Sequence, residues 1–165
     1  MDKLTVALLS GGRSAEREVS LKSGEQVYQA LNKEKYHIRR YDPRDDLPRL
    51  MAEAEEIDVA LIILHGRYGE DGTIQGLLEL FDIPYHGSGV LGSAIGINKI
   101  QSKRLYEYAG LPVSPYLILD RSDPDAQNKV LDALGFPVVV KPEHEGSSIG
   151  LSIVDDASHF QTALD

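Results

Sequence analysis

Apolar and polar positions divide the first half of the chain into short apolar runs and longer amphipathic segments. Residues 4–9 and 59–64 are nearly continuous apolar runs, as expected for strands covered on both faces of a parallel sheet. Apolar residues recur at helical spacing over 14–32, and 37–41 has the polar character of an edge strand. A short helix is predicted over 47–55. Strands alternating with helices in this order predict a doubly wound, Rossmann-like α/β domain.

The pattern changes after about residue 96. A helix is predicted over 98–109, and Gly110-Leu111-Pro112 is typical of its end. The elements predicted after it are a strand at 116–119, a helix capped at Ser122-Asp123-Pro124 and running to 134, strands at 138–140 and 149–154, and a last helix from Ala157. We therefore expect a first domain at 1–96 and the first part of an α+β domain at 97–165. Its hairpin, at 136–154, is expected to be the least stable region or to pair with another chain.

Charge and composition exclude several classes of protein. The chain has 26 acidic and 17 basic residues, a net charge of -9, which disfavours a broad nucleic-acid interface. It has no cysteine, so a disulfide framework and a thiolate zinc site are excluded. No apolar stretch approaches the roughly 20 residues of a membrane span. We expect a cytoplasmic protein that does not bind membranes.

Glycine-rich loops follow three of the predicted strands. They are Gly11-Gly12, residues 65–72, and Gly87-Ser88-Gly89 after a predicted fourth strand at 83–86. In open α/β sheets, ligands bind at the carboxyl ends of the strands. None of these loops has the G-x-G-x-x-G or G-x-x-x-x-G-K-[ST] pattern, which leaves little support for a nicotinamide-binding Rossmann domain.

Two residues near these loops have both a structural and a functional interpretation. Glu16, at a helix start, either complements the helix dipole or holds a substrate ammonium group. His65 is either a hydrogen-bonded structural residue or a contact to a small polar ligand. Its spacing from Glu70 and His86 fits no metal site, and Glu70-Asp71-Gly72 is typical of a turn and helix cap.

A third candidate site combines lysines with a flexible loop. Lys141 follows three valines, and Lys99 and Lys103 lie on a predicted helix. Together with the loop 145–150 they suit a polyphosphate, because lysine charges and loop amides can hold phosphate without a Walker motif. The alternative is an exposed hairpin with solvated lysines.

The joint pattern of motifs is more specific than any one of them. It comprises Gly-Gly-x-Ser-x-Glu-Arg-Glu-Val-Ser-Leu at 11–21, His-Gly-x-x-Gly-Glu-Asp-Gly at 65–72, Gly-Ser-Gly at 87–89, Asn-Lys at 98–99, Val-Val-Lys-Pro at 139–142 and Glu-Gly-Ser-Ser-Ile-Gly at 145–150. In this order and spacing, the motifs resemble the D-alanine–D-alanine ligases of the ATP-grasp superfamily. The resemblance implies a pre-ATP-grasp substrate domain followed by an incomplete ATP-grasp domain.

The resemblance also implies an activity and a set of site residues. The family joins two D-alanines with ATP through a D-alanyl phosphate, for bacterial peptidoglycan synthesis and cell shape. By resemblance, Glu16 orients the first D-alanine and acts with Ser147 as a catalytic residue. The other residues carried over are Val19, Ser20 and His65 for the first substrate, and Lys99, Lys141, Gly146, Ser147 and Ser148 for the ATP phosphates.

Other parts of the family's site have no match in this sequence. The adenine-binding hinge and the magnesium ligands are expected beyond residue 165, and no Glu-x-Asn occurs in the chain. We therefore expect no metal ligand in these 165 residues and no turnover by the chain alone. The alternative is a non-catalytic fragment that binds substrate or dimerises. The resemblance further implies a homodimer formed through the N-terminal domain.

Overall fold

The first part of the chain is built on a parallel sheet, seen in a computed structural model that describes residues 3–164. Strands β1 (Leu4–Leu9), β2 (Tyr36–Tyr41) and β3 (Val59–Ile62) pair in the order β2-β1-β3. The central strand β1 is buried from Val6 to its end, which explains its unbroken apolar sequence. The edge position of β2 confirms the prediction from its polar residues.

Helices surround this sheet and continue into the second part of the chain. They are α1 (Arg17–Ala30), α2 (Leu47–Ala52), α3 (Thr73–Leu80), α4 (Val90–Ile97), α5 (Lys99–Tyr108), α6 (Ala126–Ala133) and α7 (Phe160–Leu164), with 3-10 turns at Ala54–Glu56 and Ala157–His159. No helix among residues 3–164 is both long enough and apolar enough to cross a membrane.

Close packing of α1 on β1 places the start of that helix near the ends of the strands. A side chain at Gly24 would put its Cβ 2.4 Å from the Cβ of Ser10, so the approach needs glycine. Leu50 of α2 and Leu78 of α3 are buried with residues of β1 and β3 in one core. The loops that follow β1 and β3 are therefore anchored to well-packed strands.

The second part of the chain has its own smaller core. Strands β4 (Val138–Val140) and β5 (Ser152–Val154) form the predicted antiparallel pair, with Val139 opposite Ile153. Val154 is buried with Val130 and Phe160. The chain divides into two compact units, the first ending at Ile97 and the second beginning at Asn98. That these units are a substrate domain and an ATP-binding domain stays a prediction.

Two of the predicted strands are wrong. Residues 83–86 form only one parallel bridge, between Ala60 and Tyr85. Pro84 has no N–H to donate, and its carbonyl alone accepts a bond from Ala60. Residues 116–119 are not a strand either. Among the described residues no strand pairs with them, and Ile118 is 50% exposed.

One helix boundary differs from prediction, and one helix was not predicted. The helix expected from Ser122-Asp123-Pro124 begins at Ala126, because two tight turns precede it. In these turns Asp120 accepts a bond from the Ser122 N–H, and Asp123 accepts one from the Asp125 N–H. Helix α4 was not predicted, since its sequence Val-Leu-Gly-Ser-Ala-Ile-Gly-Ile has two glycines and no charged residue to mark its polar face.

Candidate functional site

The loop between β1 and α1 is held in place by the carboxylate of Asp42, which follows β2. Gly11 and Gly12 have φ of +94° and +80°, a region that favours glycine. The Gly12 N–H donates to Asp42 at 2.9 Å, and the Arg17 side chain donates to the Gly12 carbonyl at 2.8 Å. Arg17 and Asp42 pair at 2.6 Å. Both polar backbone groups of Gly12 are therefore satisfied by one ion pair.

The ion pair also fixes the charges beside this loop. Burial alone would raise the pKa of Asp42, but hydrogen bonds from Arg17 and from the Gly12 and Arg44 amides outweigh it, so the pKa lies below its usual value. The contact with Asp42 raises the pKa of Arg17. Both groups are charged at neutral pH, and the negative charge of Asp42 balances the positive charge of Arg17.

Ser20 joins the ends of two strands. It is fully buried, and its hydroxyl donates to the Ile63 carbonyl at 2.5 Å while accepting from the Gly11 N–H at 2.8 Å. The predicted role of Ser20 is to line the substrate pocket. In the structure its hydroxyl is engaged by backbone groups, which makes it a support of the loop. Val19, predicted to line the same pocket, is 57% exposed.

Glu16 lies at the N-cap position of α1, but its side chain does not cap the helix. Its Oε2 atom is buried and has no hydrogen-bond partner among the described residues. The carboxylate packs against Gly66, where an added Cβ would lie 2.7 Å from Oε2. A buried carboxylate oxygen without a donor is unfavourable, because its desolvation is uncompensated. This geometry favours the ligand-holding interpretation of Glu16.

The loop after β3 lies next to the Glu16 loop. The Ser14 hydroxyl donates to the His65 carbonyl at 2.7 Å, and the Glu16 N–H donates to the Ser14 hydroxyl at 3.2 Å. His65 is half-buried. The Gly66 N–H donates to Glu70 at 2.6 Å. The first unit thus brings together Glu16 and His65, two of its predicted site residues.

The end of this loop, Glu70-Asp71-Gly72, has the turn-forming role that its sequence predicts. Asp71 accepts bonds from the backbone N–H groups of Tyr68 and Thr73, at 2.8 and 3.0 Å, and α3 begins at Thr73. Gln75 is buried and donates to the Gly69 carbonyl at 2.9 Å. The acids at 70 and 71 therefore shape the loop. Within residues 3–164, no three His, Cys, Asp or Glu side chains are grouped so that they could hold a metal ion.

A cavity of about 820 Å³ opens beside these two loops. Gly12, Ser14 and His65 are part of its lining, together with apolar residues such as Leu47 and Leu77. Glu16 is not part of its lining. The polar candidate site and the apolar cavity are therefore neighbours that share the loop residues.

In the second unit, Lys99 lies against the predicted phosphate loop. Its ammonium donates to the Glu145 carbonyl at 2.6 Å, and its backbone N–H donates to the Glu143 carbonyl at 3.1 Å. Burial and the nearby charge of Lys141 lower the pKa of Lys99, and Glu145 opposes this shift. Two cations held near one loop are suited to an anionic ligand.

The other members of this cluster are accessible. Lys141, Ser147 and Ser148 are exposed and Gly146 is half-buried. Ser147 has a φ of +52°, which is uncommon for serine. Lys103 is not part of the cluster, because its ammonium donates to the carbonyl and hydroxyl of Ser114. The sequence grouping of Lys103 with Lys99 and Lys141 is therefore wrong.

Sequence analysis assigned no individual role to Asp42, Arg17 or Ser14. Arg17 and Ser14 lie within the first motif, but each bonds a residue far away in the sequence: Arg17 pairs with the Asp42 carboxylate, and Ser14 donates to the His65 carbonyl. Only Asp42 could have been singled out from the sequence, because an acid that directly follows a predicted strand lies at the carboxyl ends of the strands, where ligands bind.

These features define the class of the protein: a parallel α/β unit with a carboxylate site, followed by an α+β unit with a lysine-lined loop. The family model for the D-ala D-ala ligase N-terminus matches residues 5–44 and 39–88, and the C-terminus model matches 105–165. The D-alanine–D-alanine ligase of Syntrophobacter fumaroxidans is 68% identical over 99% of this chain and 53% of its own length. The chain belongs to the D-alanine–D-alanine ligase family.

Solved structures confirm the predicted fold class. The D-alanine–D-alanine ligase of Bacillus anthracis matches 98% of this chain and 52% of its own with a TM-score of 0.85 at 38% identity. The same bacterium's ligase complexed with ATP matches 99% of this chain and 52% of its own with a TM-score of 0.83 at 37% identity. The chain spans about half the length of the curated relatives it matches.

The contact between Glu16 and Gly66 can be tested with two glycine variants. Gly66→Ala and Gly110→Ala place alanine at φ of +65° and +71°, so each should lose about 1–2 kcal/mol of stability. An added Cβ at Gly110 meets nothing within 4 Å. Only Gly66→Ala should displace the Glu16 carboxylate and shift the NMR signal of its carboxyl carbon. The same Glu16 signal in both variants would contradict the contact.

Proposed function

We propose that this chain carries the first D-alanine site and part of the ATP-phosphate site of a D-alanine–D-alanine ligase. The observation that carries the proposal is the buried Oε2 of Glu16, which has no donor among the described residues. An ammonium group supplies both the missing donors and the missing positive charge. The neighbouring His65 completes a small polar site suited to an amino acid.

In the proposed reaction, the ammonium of the first D-alanine binds Glu16 while its carboxylate oxygen attacks the γ-phosphorus of ATP. A bond from this oxygen to phosphorus forms, and the bond between that phosphorus and the β-phosphate oxygen breaks, releasing ADP. The neutral amine of a second D-alanine then attacks the acyl carbon, the bond from that carbon to the phosphate oxygen breaks, and phosphate leaves while the nitrogen loses one proton to water or to the phosphate. Glu16 takes no proton in these steps, so its role is to bind and orient.

The role proposed for the second unit is to hold phosphate. Lys99 and Lys141 supply positive charge, and Gly146, Ser147 and Ser148 supply amides and hydroxyls at an accessible loop. Phosphoryl transfer depends on positioning and charge neutralisation, which these groups provide. We propose Ser147 as the member of this loop with a catalytic role.

No three acidic or histidine side chains are grouped as metal ligands within residues 3–164. No step proposed for this chain uses a metal, and magnesium ligands after residue 165 stay a prediction. We also propose that the protein is cytoplasmic and that it forms a homodimer through residues 1–96.

Calorimetry with D-alanine tests the first site. Glu16→Gln keeps the size of the side chain and removes its charge, and Glu18→Gln, at an exposed position in the first turn of α1, is the control. Because a hydrogen bond to a charged group contributes about 1.5–3 kcal/mol, Glu16→Gln should weaken binding about 10- to 100-fold. Glu18→Gln should bind like the unmodified chain. An unmodified chain that does not bind D-alanine would refute the proposal and favour a fragment that only dimerises.

Titration with ATP tests the second site. Lys99→Met and Lys103→Met each remove one positive charge from α5, so their effect on the overall field is the same. Only Lys99 lies at the loop, and we expect only its variant to weaken ATP binding, by about 10- to 100-fold. Equal losses in the two variants would show that ATP responds to net charge alone.

A further inference from the structure

We propose that Ser14 is a positioning residue for the D-alanine site, because its hydroxyl joins the loop of Glu16 to the loop of His65. This inference rests on the function proposed above and adds a residue to it. Ser14 belongs to the motif at 11–21, but the resemblance assigns it no function. We do not expect it to touch the substrate.

The Ser14 hydroxyl both donates and accepts a hydrogen bond. It donates to the His65 carbonyl at 2.7 Å and accepts from the Glu16 N–H at 3.2 Å. The hydroxyl therefore lies between the backbones of the two residues expected to contact the substrate. Ser14 is half-buried, so water competes less for these bonds than at an exposed site.

Other contacts fix the loop before Ser14. Ser20 holds the Gly11 N–H, and Asp42 holds the Gly12 N–H. Helix α1 begins at Arg17, which is itself bound to Asp42. The short segment 13–16 is left between two fixed ends. Ser14 supplies its contact to the loop that follows β3.

The position of Glu16 depends on this same loop. The Glu16 carboxylate packs against Gly66, which directly follows His65. A shift between residues 14–16 and residues 65–66 would thus open the space around the buried Oε2 and admit water. Displacements of about 1 Å can change the performance of a site by about 100-fold. Loss of the Ser14 hydroxyl should therefore weaken D-alanine binding even though Glu16 and His65 remain.

Three variants of the full chain test this role. Ser14→Ala removes the hydroxyl, Ser14→Thr retains it, and Ser93→Ala removes a hydroxyl that donates to the Ser88 carbonyl at 3.1 Å elsewhere in the same unit. D-alanine and ATP affinities and the thermal midpoint are measured for each. Ser14→Ala should lose about 10-fold in D-alanine affinity. Its ATP affinity should not change, Ser14→Thr should restore D-alanine binding, and Ser93→Ala should bind normally.

A purely structural role gives a different result. It would lower the thermal midpoint of Ser14→Ala without changing D-alanine affinity below that midpoint, and this would overturn the inference. Failure of Ser14→Thr to restore binding, or an equal loss in Ser93→Ala, would also overturn it. If Ser14→Ala does not fold, Ser14→Cys replaces it, with a weak donor of similar size.

The inference and the proposed function fail in distinguishable ways. An unmodified chain that does not bind D-alanine overturns both. If the unmodified chain binds D-alanine and Ser14→Ala binds it equally tightly, only the role of Ser14 is overturned.

Discussion

The ion pair between Asp42 and Arg17 is the constraint on which the loop that carries Glu16 depends. A sheet edge where three parallel strands end exposes backbone groups that need partners. Asp42 and Arg17 satisfy the N–H and the carbonyl of Gly12, and this lets the chain turn sharply into α1. Without this contact, the loop before Glu16 would lose the bonds that satisfy both backbone groups of Gly12.

The fixed loop explains how the Glu16 Oε2 can stay buried without a hydrogen-bond partner among residues 3–164. The Glu16 Oε2 is held against Gly66 at a cost in desolvation, while the ion pair and the hydroxyls of Ser14 and Ser20 satisfy backbone groups of the surrounding loops. The second unit differs, since Lys99 and Lys141 are two like charges held together. With a net charge of -9, the chain repels ATP at long range, so these lysines must act locally, within the screening distance of about 8 Å.

Much of the fold could be predicted because its elements are local in sequence. The apolar runs of β1 and β3 and the helical spacing of α1 and α5 need no tertiary information. The predicted strand at 83–86 failed because proline limits its pairing to one bridge, and the strand at 116–119 failed because a strand needs a partner. Glu16 was found through its motif. Ser14 and Asp42 were not, because their partners lie 51 and 30 residues away, at His65 and Gly12, and only the fold brings them together.

The central claim is that Glu16 recognises an ammonium group. It is tested most directly by following the carboxyl-carbon NMR signal of Glu16 while the chain is titrated with D-alanine, and then with propionate. Propionate has the same carbon chain and carboxylate but no ammonium. A saturable shift of the Glu16 signal with D-alanine, and none with propionate at equal concentration, is the predicted result. Equal shifts with both ligands, or none with either, would contradict it.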